Sequence, residues 1–229
     1  KECGVDLASM QEYMEKRGIN QFLIGMRDLG ERAASIVKNV LKFSRRSDTE
    51  MEKANVNNMI KDTISIVSTD YDIKKQSSFK ELVINTELDE NIPQIVCSAS
   101  EIEQVLLNLI KNAAHALGDK AYSDSTKPKV YVRTKLEPGL IRIEVEDNGV
   151  GMDEATMKRL FEPFFTTKPV GIGTGLGLSI SYYIIVDKHR GQLTVESEKG
   201  VGTKFVILLP LSQLSQSDEN KALDDGTHR

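Results

Sequence analysis

Tryptophan is missing from the 229 residues, and cysteine occurs only twice, at Cys3 and Cys97. Two cysteines in unrelated contexts make neither a zinc site nor a disulfide framework, which favours a reducing compartment. The three histidines, His115, His189 and His228, lie far apart and lack metal-ligand spacing. No apolar run approaches the roughly 20 residues that a membrane-spanning helix needs, so no membrane contact is expected of this chain. No signal-peptide pattern opens it, and it begins at Lys1 rather than Met. The expectation is a cytoplasmic piece, or a processed form, of a longer protein whose other parts could still be membrane-anchored. A cationic excess is absent too. The formal net charge of −4 argues against a nucleic-acid partner. With 39% apolar and 28% charged residues, the chain has the composition of a soluble globular protein, with room for one medium domain and an appendage.

Glycine, in contrast, is concentrated. Asp147-Asn148-Gly149-Val150-Gly151 opens the densest stretch and Phe161-Glu162-Pro163-Phe164-Phe165-Thr166-Thr167-Lys168 follows. Gly171-Ile172-Gly173-Thr174-Gly175-Leu176-Gly177-Leu178 closes it. Glycine lets backbone N–H groups approach phosphate oxygens and adopts φ values that other residues resist. The apolar run after Gly177 reads as a helix whose positive N-terminal end would face a ligand. The stretch reads as a nucleotide site.

The chain divides into four parts around it. Residues 1–19 carry a short helix, capped by Asp6 and stopped by Gly18, with too few apolar residues for a core. Over 20–53, Met26, Leu29, Ala33, Ile36, Val40 and Phe43 recur at spacings of three and four. This a/d seam fits one helix of a dimeric helical bundle followed by a polar linker; an amphipathic helix lying on the next domain is the alternative. Residues 54–211 form the main domain. A helix capped by Asn57 or Asn58 opens it, and strands follow over 81–88 and 92–97. Next comes a helix from Ser100, with Glu103 at capping-box spacing, to Gly118. Its stripe is Ile102, Val105, Leu106, Leu109, Ile110, Ala113 and Leu117. A polar loop over 119–128 leads to a hairpin over 129–146, a short helix over 153–160 and a helix over 178–186. Two last strands cover 192–198 and 203–209. Residues 212–229 read as a disordered tail. The fold class is α+β: a two-layer α/β sandwich, its sheet mixed and mostly antiparallel, with helices on one face.

Four motifs occur in order: Asn108-Leu109-Ile110-Lys111-Asn112-Ala113, Asp147-x-Gly149-x-Gly151, Phe161-Glu162-Pro163-Phe164-Phe165 and Gly173-Thr174-Gly175-Leu176-Gly177-Leu178. They resemble the N box, first glycine box, F box and second glycine box of bacterial sensor histidine kinases, over about residues 56–210. One glycine motif alone would be weak evidence, but four ordered ones are specific. The resemblance implies an ATP-binding catalytic domain of the histidine-kinase and gyrase type, with ATP and Mg²⁺ as cofactors. Asn112 would be the metal ligand, Asn108 would support the phosphates, and Asp147 would accept from the adenine amino group. Gly149, Gly151, Thr166, Thr167, Lys168, Gly173, Thr174, Gly175, Leu176, Gly177, Leu178 and Thr203 would line the nucleotide. Lys111 reaches a phosphate or is an ordinary solvated helix lysine. Phe161, Phe164 and Phe165 would pack the base of the lid. His115 reads as a rim residue and His189 as structural.

Two absences shape the expected activity. ATP hydrolases of this fold carry a Glu one helical turn before the metal-binding Asn, as the base that activates water. Here Asn108 stands there and is a poor base, so transfer to a protein acceptor is favoured over hydrolysis. The resemblance also implies a phosphoacceptor His on the first helix of a dimerisation hairpin, and no His precedes His115. The chain is therefore expected to bind ATP without phosphorylating itself. A response-regulator receiver domain and a homodimer through the hairpin are the implied partners. A related protein-serine kinase and a non-enzymatic nucleotide-sensing module are the alternatives.

Overall fold

Alternation decides the central strand. Along Leu140–Asp147 (β5), Ile141, Ile143, Val145 and Asp147 turn inward, and Arg142, Glu144 and Glu146 turn outward, as a two-residue period requires of a half-buried strand. The computed structural model describes residues 6–27, 29–30, 34, 50–69, 83–122, 127–168 and 173–212. The chain forms two units, Lys1–Ser47 with Thr166–Thr174, and Asp48–Phe165 with Gly175–Arg229.

In the first unit, Leu7–Lys16 (α1) starts where the Asp6 carboxylate accepts from the Ser9 N–H at 3.3 Å. Gly18 follows with φ 65°, the left-handed conformation that ends helices. Residues 19–27 are helical again. Met26 and Leu29 of the expected seam are exposed. Ala33, Ile36, Val40 and Phe43 lie outside the described residues, as does the tail from 213.

The second unit is the two-layer sandwich expected. Its strands are Glu52–Ala54 (β1), Ile84–Leu88 (β2), Ile95–Cys97 (β3), Val130–Glu137 (β4), β5, Gln192–Glu198 (β6) and Gly202–Pro210 (β7). The main sheet runs β2-β4-β5-β7-β6, with β2 parallel to β4 and the other pairs antiparallel. β1 and β3 pair apart from it, so strand structure in this unit reaches back to Glu52. Helices Val56–Thr69 (α2) and Ala99–Gly118 (α3) cover one face. All seven residues of the expected α3 stripe are buried, each worth roughly 1.5–3 kcal/mol relative to exposure if fully buried and large. Outside, a ladder of alternating charge crosses the sheet: Arg133 pairs with Glu87 and Glu146, Arg142 with Glu144, and Lys204 with Glu196.

Two caps fall elsewhere than expected. Asn55, not Asn57 or Asn58, caps α2, its side-chain oxygen accepting from the Asn58 N–H at 3.2 Å. Asn57 instead joins Asp89 and Thr134 in a polar network between α2 and β4. Ser98, not Ser100, caps α3, accepting from Glu101 N–H at 3.4 Å. Periodicity allowed the helix to begin on either serine, and the end of β3 at Cys97 selected the earlier one.

Candidate functional site

β5, the central strand, carries Asp147 to the strand end that opens the glycine turn, opposite Val130 on one side and Thr203 on the other. Asp147 is 7% exposed. Burial raises its pKa to about 6, against the lowering effect of backbone N–H donors from Gly149 and Thr203 and the charge of Lys120. The Gly149 N–H bond is 2.8 Å long. Two donors use only part of a carboxylate's acceptor capacity, which extends to about four lone-pair sites.

The glycines of the first cluster are needed for space. A Cβ on Gly149 would lie 2.6 Å from the Ala116 carbonyl carbon, and one on Gly151 only 1.9 Å from the Glu198 oxygen, with φ at 61°. The last turn of α3 therefore sits directly on this loop, where Val150 N–H donates to Ala116 O at 3.1 Å. Thr203 is buried, with its hydroxyl 2.9 Å from that of Ser197. Ser197 also accepts from Met152 N–H and donates to Gly202 O.

One residue that sequence reasoning left in a polar loop is central here. The Lys120 ammonium donates to the carbonyls of Asn148 at 2.7 Å, Gly149 at 3.0 Å and Val201 at 3.2 Å. The Tyr122 hydroxyl donates to the same Asn148 oxygen at 3.1 Å. A lysine just past a helix stop is too common a pattern to have revealed this.

Asn108 and the second cluster also meet. The Asn108 amide donates to Ser181 Oγ at 3.0 Å, and Ser181 Oγ donates to Gly177 O at 3.0 Å. A Cβ on Gly177 would stand 2.3 Å from Asn108 Oδ1. Beyond the short helix Glu154–Arg159 (α4), Gly177–Tyr182 (α5) continues as a π-helical turn, Tyr183–Lys188, rather than as regular α-helix. Gly175, at φ 69°, leaves no room for a Cβ beside the Phe164 backbone. Leu176 is buried and Leu178 packs against the core. Lys111, Asn112 and His115 are half-buried on α3, with Asn112 one turn beyond Asn108.

The aromatic residues divide. Phe161 packs on the core and on Tyr182, ring centroids 5.0 Å apart, whereas Phe164 is 60% exposed at φ 67°, with its backbone against Gly175. Thr166, Thr167, Lys168, Gly173 and Thr174 belong to the other unit, where Thr166 Oγ1 accepts from Lys168 N–H at 3.1 Å.

His189 is fully buried. Its Nδ1 meets Ile184 O at 2.7 Å and its Nε2 accepts from Ser98 N–H at 3.1 Å. That pair of partners fixes a neutral ring with the proton on Nδ1, and burial lowers its pKa. The neighbouring Lys188–Glu101 ion pair joins the same two elements.

Among the described residues no group of three or more His, Cys, Asp or Glu could hold a metal. A neutral Asn oxygen fits Mg²⁺, which keeps phosphate and water in its shell and needs few protein ligands.

Residues 97–213 match the family described as "Histidine kinase-, DNA gyrase B-, and HSP90-like ATPase". The chain belongs to this family, and its ATP-binding domain is of the sensor histidine kinase kind. It is 34% identical over 191 residues to "Sporulation kinase E" of Bacillus subtilis (strain 168), covering 83% of this chain and 24% of that protein. The catalytic domain of histidine kinase ThkA is 29% identical at a TM-score of 0.58, covering 71% of this chain and 96% of that one. Histidine kinase ThkA in complex with the response regulator protein TrrA superposes at a TM-score of 0.64 with 23% identity, covering 90% of this chain and 56% of that one, a likeness of fold. The chain spans about a quarter of the length of the curated relatives it matches. Among the described residues no helix is long and apolar enough to cross a membrane.

Proposed function

We propose that this chain is the catalytic part of a cytoplasmic sensor histidine kinase portion, binding Mg·ATP for transfer of the γ-phosphoryl group to a histidine. The acceptor histidine lies on a dimerisation hairpin to which residues 20–53 contribute the second helix. A response-regulator aspartate receives the group next. The observation that carries this reading is the buried Asp147 carboxylate, beside a glycine turn with no room for side chains, in the same unit as the Asn108–Gly177 contact. Asp147 reads the adenine amino group, Asn108 supports the phosphates and Asn112 holds Mg²⁺. Gly149, Gly151, Gly175, Gly177 and Thr203 shape the nucleotide's surroundings. Thr166, Thr167, Lys168, Gly173 and Thr174 contact the nucleotide from the lid, and Lys111 reaches a phosphate. The bound Mg²⁺ would neutralise phosphate charge, and the chain's own residues supply positioning. Lacking an acceptor histidine before His115, this chain binds ATP without phosphorylating itself.

The test supplies γ-labelled ATP and a separate hairpin carrying the histidine. Label on that histidine supports the reading. ATP binding without transfer would reduce the domain to a nucleotide-sensing module, and label on serine would favour a protein-serine kinase.

A further inference from the structure

Lys120 leaves the end of α3 and closes over the first glycine turn. Its three N–H donors meet three carbonyl oxygens, two from Asn148 and Gly149 in the turn after β5 and one from Val201 in the β6–β7 turn. Lys120 lies 28 residues from Asn148, 29 from Gly149 and 81 from Val201 in sequence. A cation on this spot acts on Asp147 in two ways. It holds the Asn148 carbonyl of the peptide group whose Gly149 N–H donates to Asp147, and its charge favours the ionised carboxylate. Tyr122 reinforces the same Asn148 carbonyl.

We propose that Lys120 is a positioning residue for adenine recognition, holding the Asp147–Gly149 turn in place and supplying the positive charge that keeps the Asp147 carboxylate an acceptor. This rests on the adenine-reading role proposed above. Among the described residues, Lys120 is the cation whose charge acts on Asp147. β4 and β7 bring the uncharged Val130 and Thr203 beside Asp147. The adjoining Glu146 works the opposite way and is engaged by Arg133 on the outer face. Among the described residues Tyr122 also faces Asp147, and burial, then Asp147, raise its pKa to about 12.

The test compares binding of ADP and IDP, which differ at the purine 6-position, an amino donor in one and a carbonyl acceptor in the other. Their affinity ratio cancels phosphate ionisation and reads the Asp147 carboxylate directly. In the wild-type chain the preference for ADP should fade as pH falls through about 6. Lys120→Gln keeps hydrogen-bond donors but removes the charge. It should move that midpoint upward by roughly half a pH unit or more, and Lys120→Arg should move it back towards wild type. Equal weakening of ADP and IDP in Lys120→Gln, with the midpoint unmoved, would reduce Lys120 to a structural clip and overturn the inference. A measurement on the unaltered chain guards against a variant that fails to fold. The Lys120 15Nζ resonance should titrate with the Asp147 13Cγ midpoint, and a flat Lys120 signal overturns the coupling. If the wild-type chain shows no ADP preference at pH 7.5, the adenine reading itself fails and takes the inference with it. An intact preference with an unmoved Lys120→Gln midpoint overturns the role of Lys120 alone.

Discussion

The Asn108 carboxamide donates to the Ser181 hydroxyl at 3.0 Å across 73 residues of sequence, and that hydroxyl donates on to the Gly177 carbonyl. The helix carrying both Asn108 and Asn112 is thereby tied to the start of α5. Ser181 is buried, so Ser181→Ala removes this bridge and should cost about 1 kcal/mol of stability. Gly177→Ala should be worse for ligand binding, because its Cβ would displace the Asn108 side chain from 2.3 Å. Urea unfolding and ATP titration calorimetry check both, and an ATP affinity unchanged in Gly177→Ala would contradict the proposed role of Asn108.

Asp147 is held against its own solvation. Its pKa is raised in the folded chain to about 6 from 3.8, so the folded state binds that proton more tightly than the unfolded one. The contribution to stability is fully present below pH 3.8 and is lost as pH rises through about 6. At pH 7 the ionised carboxylate costs about 3 kcal/mol. Comparing the unfolding free energies of wild type and Asp147→Asn at pH 4.5 and 7.5, the difference should move against wild type at the higher pH. Asp147→Asn should also lose adenine preference. A pH-independent difference would contradict a carboxyl group whose pKa burial raises in the folded chain.

His189 titrates with the opposite sign. Its pKa is lowered below 6.5 by burial, so its contribution is present above pH 6.5 and is lost as pH falls through the folded pKa. Protonating Nε2 would also abolish the acceptor for the Ser98 N–H. His189→Ala should destabilise by about 3 kcal/mol at pH 7.5, from the lost ring and its two hydrogen bonds. Below pH 6 the gap between variant and wild type should narrow. Chemical denaturation at several pH values gives the comparison.

Two glycines separate strain from crowding. Gly151 and Gly200 both have positive φ, 61° and 84°, but a Cβ on Gly200 meets nothing within 4 Å, whereas one on Gly151 meets Glu198 O at 1.9 Å. Gly200→Ala should cost about 1–2 kcal/mol from backbone conformation alone. Gly151→Ala should exceed it clearly and depress nucleotide affinity as well. Melting temperatures of the two variants, measured side by side, decide this.

Local patterns were enough for much of this fold. Alternation placed β4 and β5, the Gly200-Val201-Gly202 turn placed β6 and β7, the 3.6-residue stripe from Ile102 to Leu117 placed α3, and Asp6 placed the start of α1. These features repeat within a few residues and depend on neighbours in sequence. The spacing of the glycine and asparagine motifs marked the stretch where the nucleotide site is proposed for the same reason. Short and polar features escaped. The three-residue β1 and β3 carry too little pattern to show that they pair apart from the main sheet. The capping-box spacing pointed to Ser100 for α3, whereas the end of β3 at Cys97 puts the cap on Ser98. The sequence by itself determined the layers, the core stripe and the residue types of the site. Only tertiary structure decided that Lys120 meets Asn148, Gly149 and Val201, that Asn108 meets Gly177, and that His189 meets Ser98. Each of those contacts joins residues from different elements, and a single polar side chain has no periodicity to announce its partner.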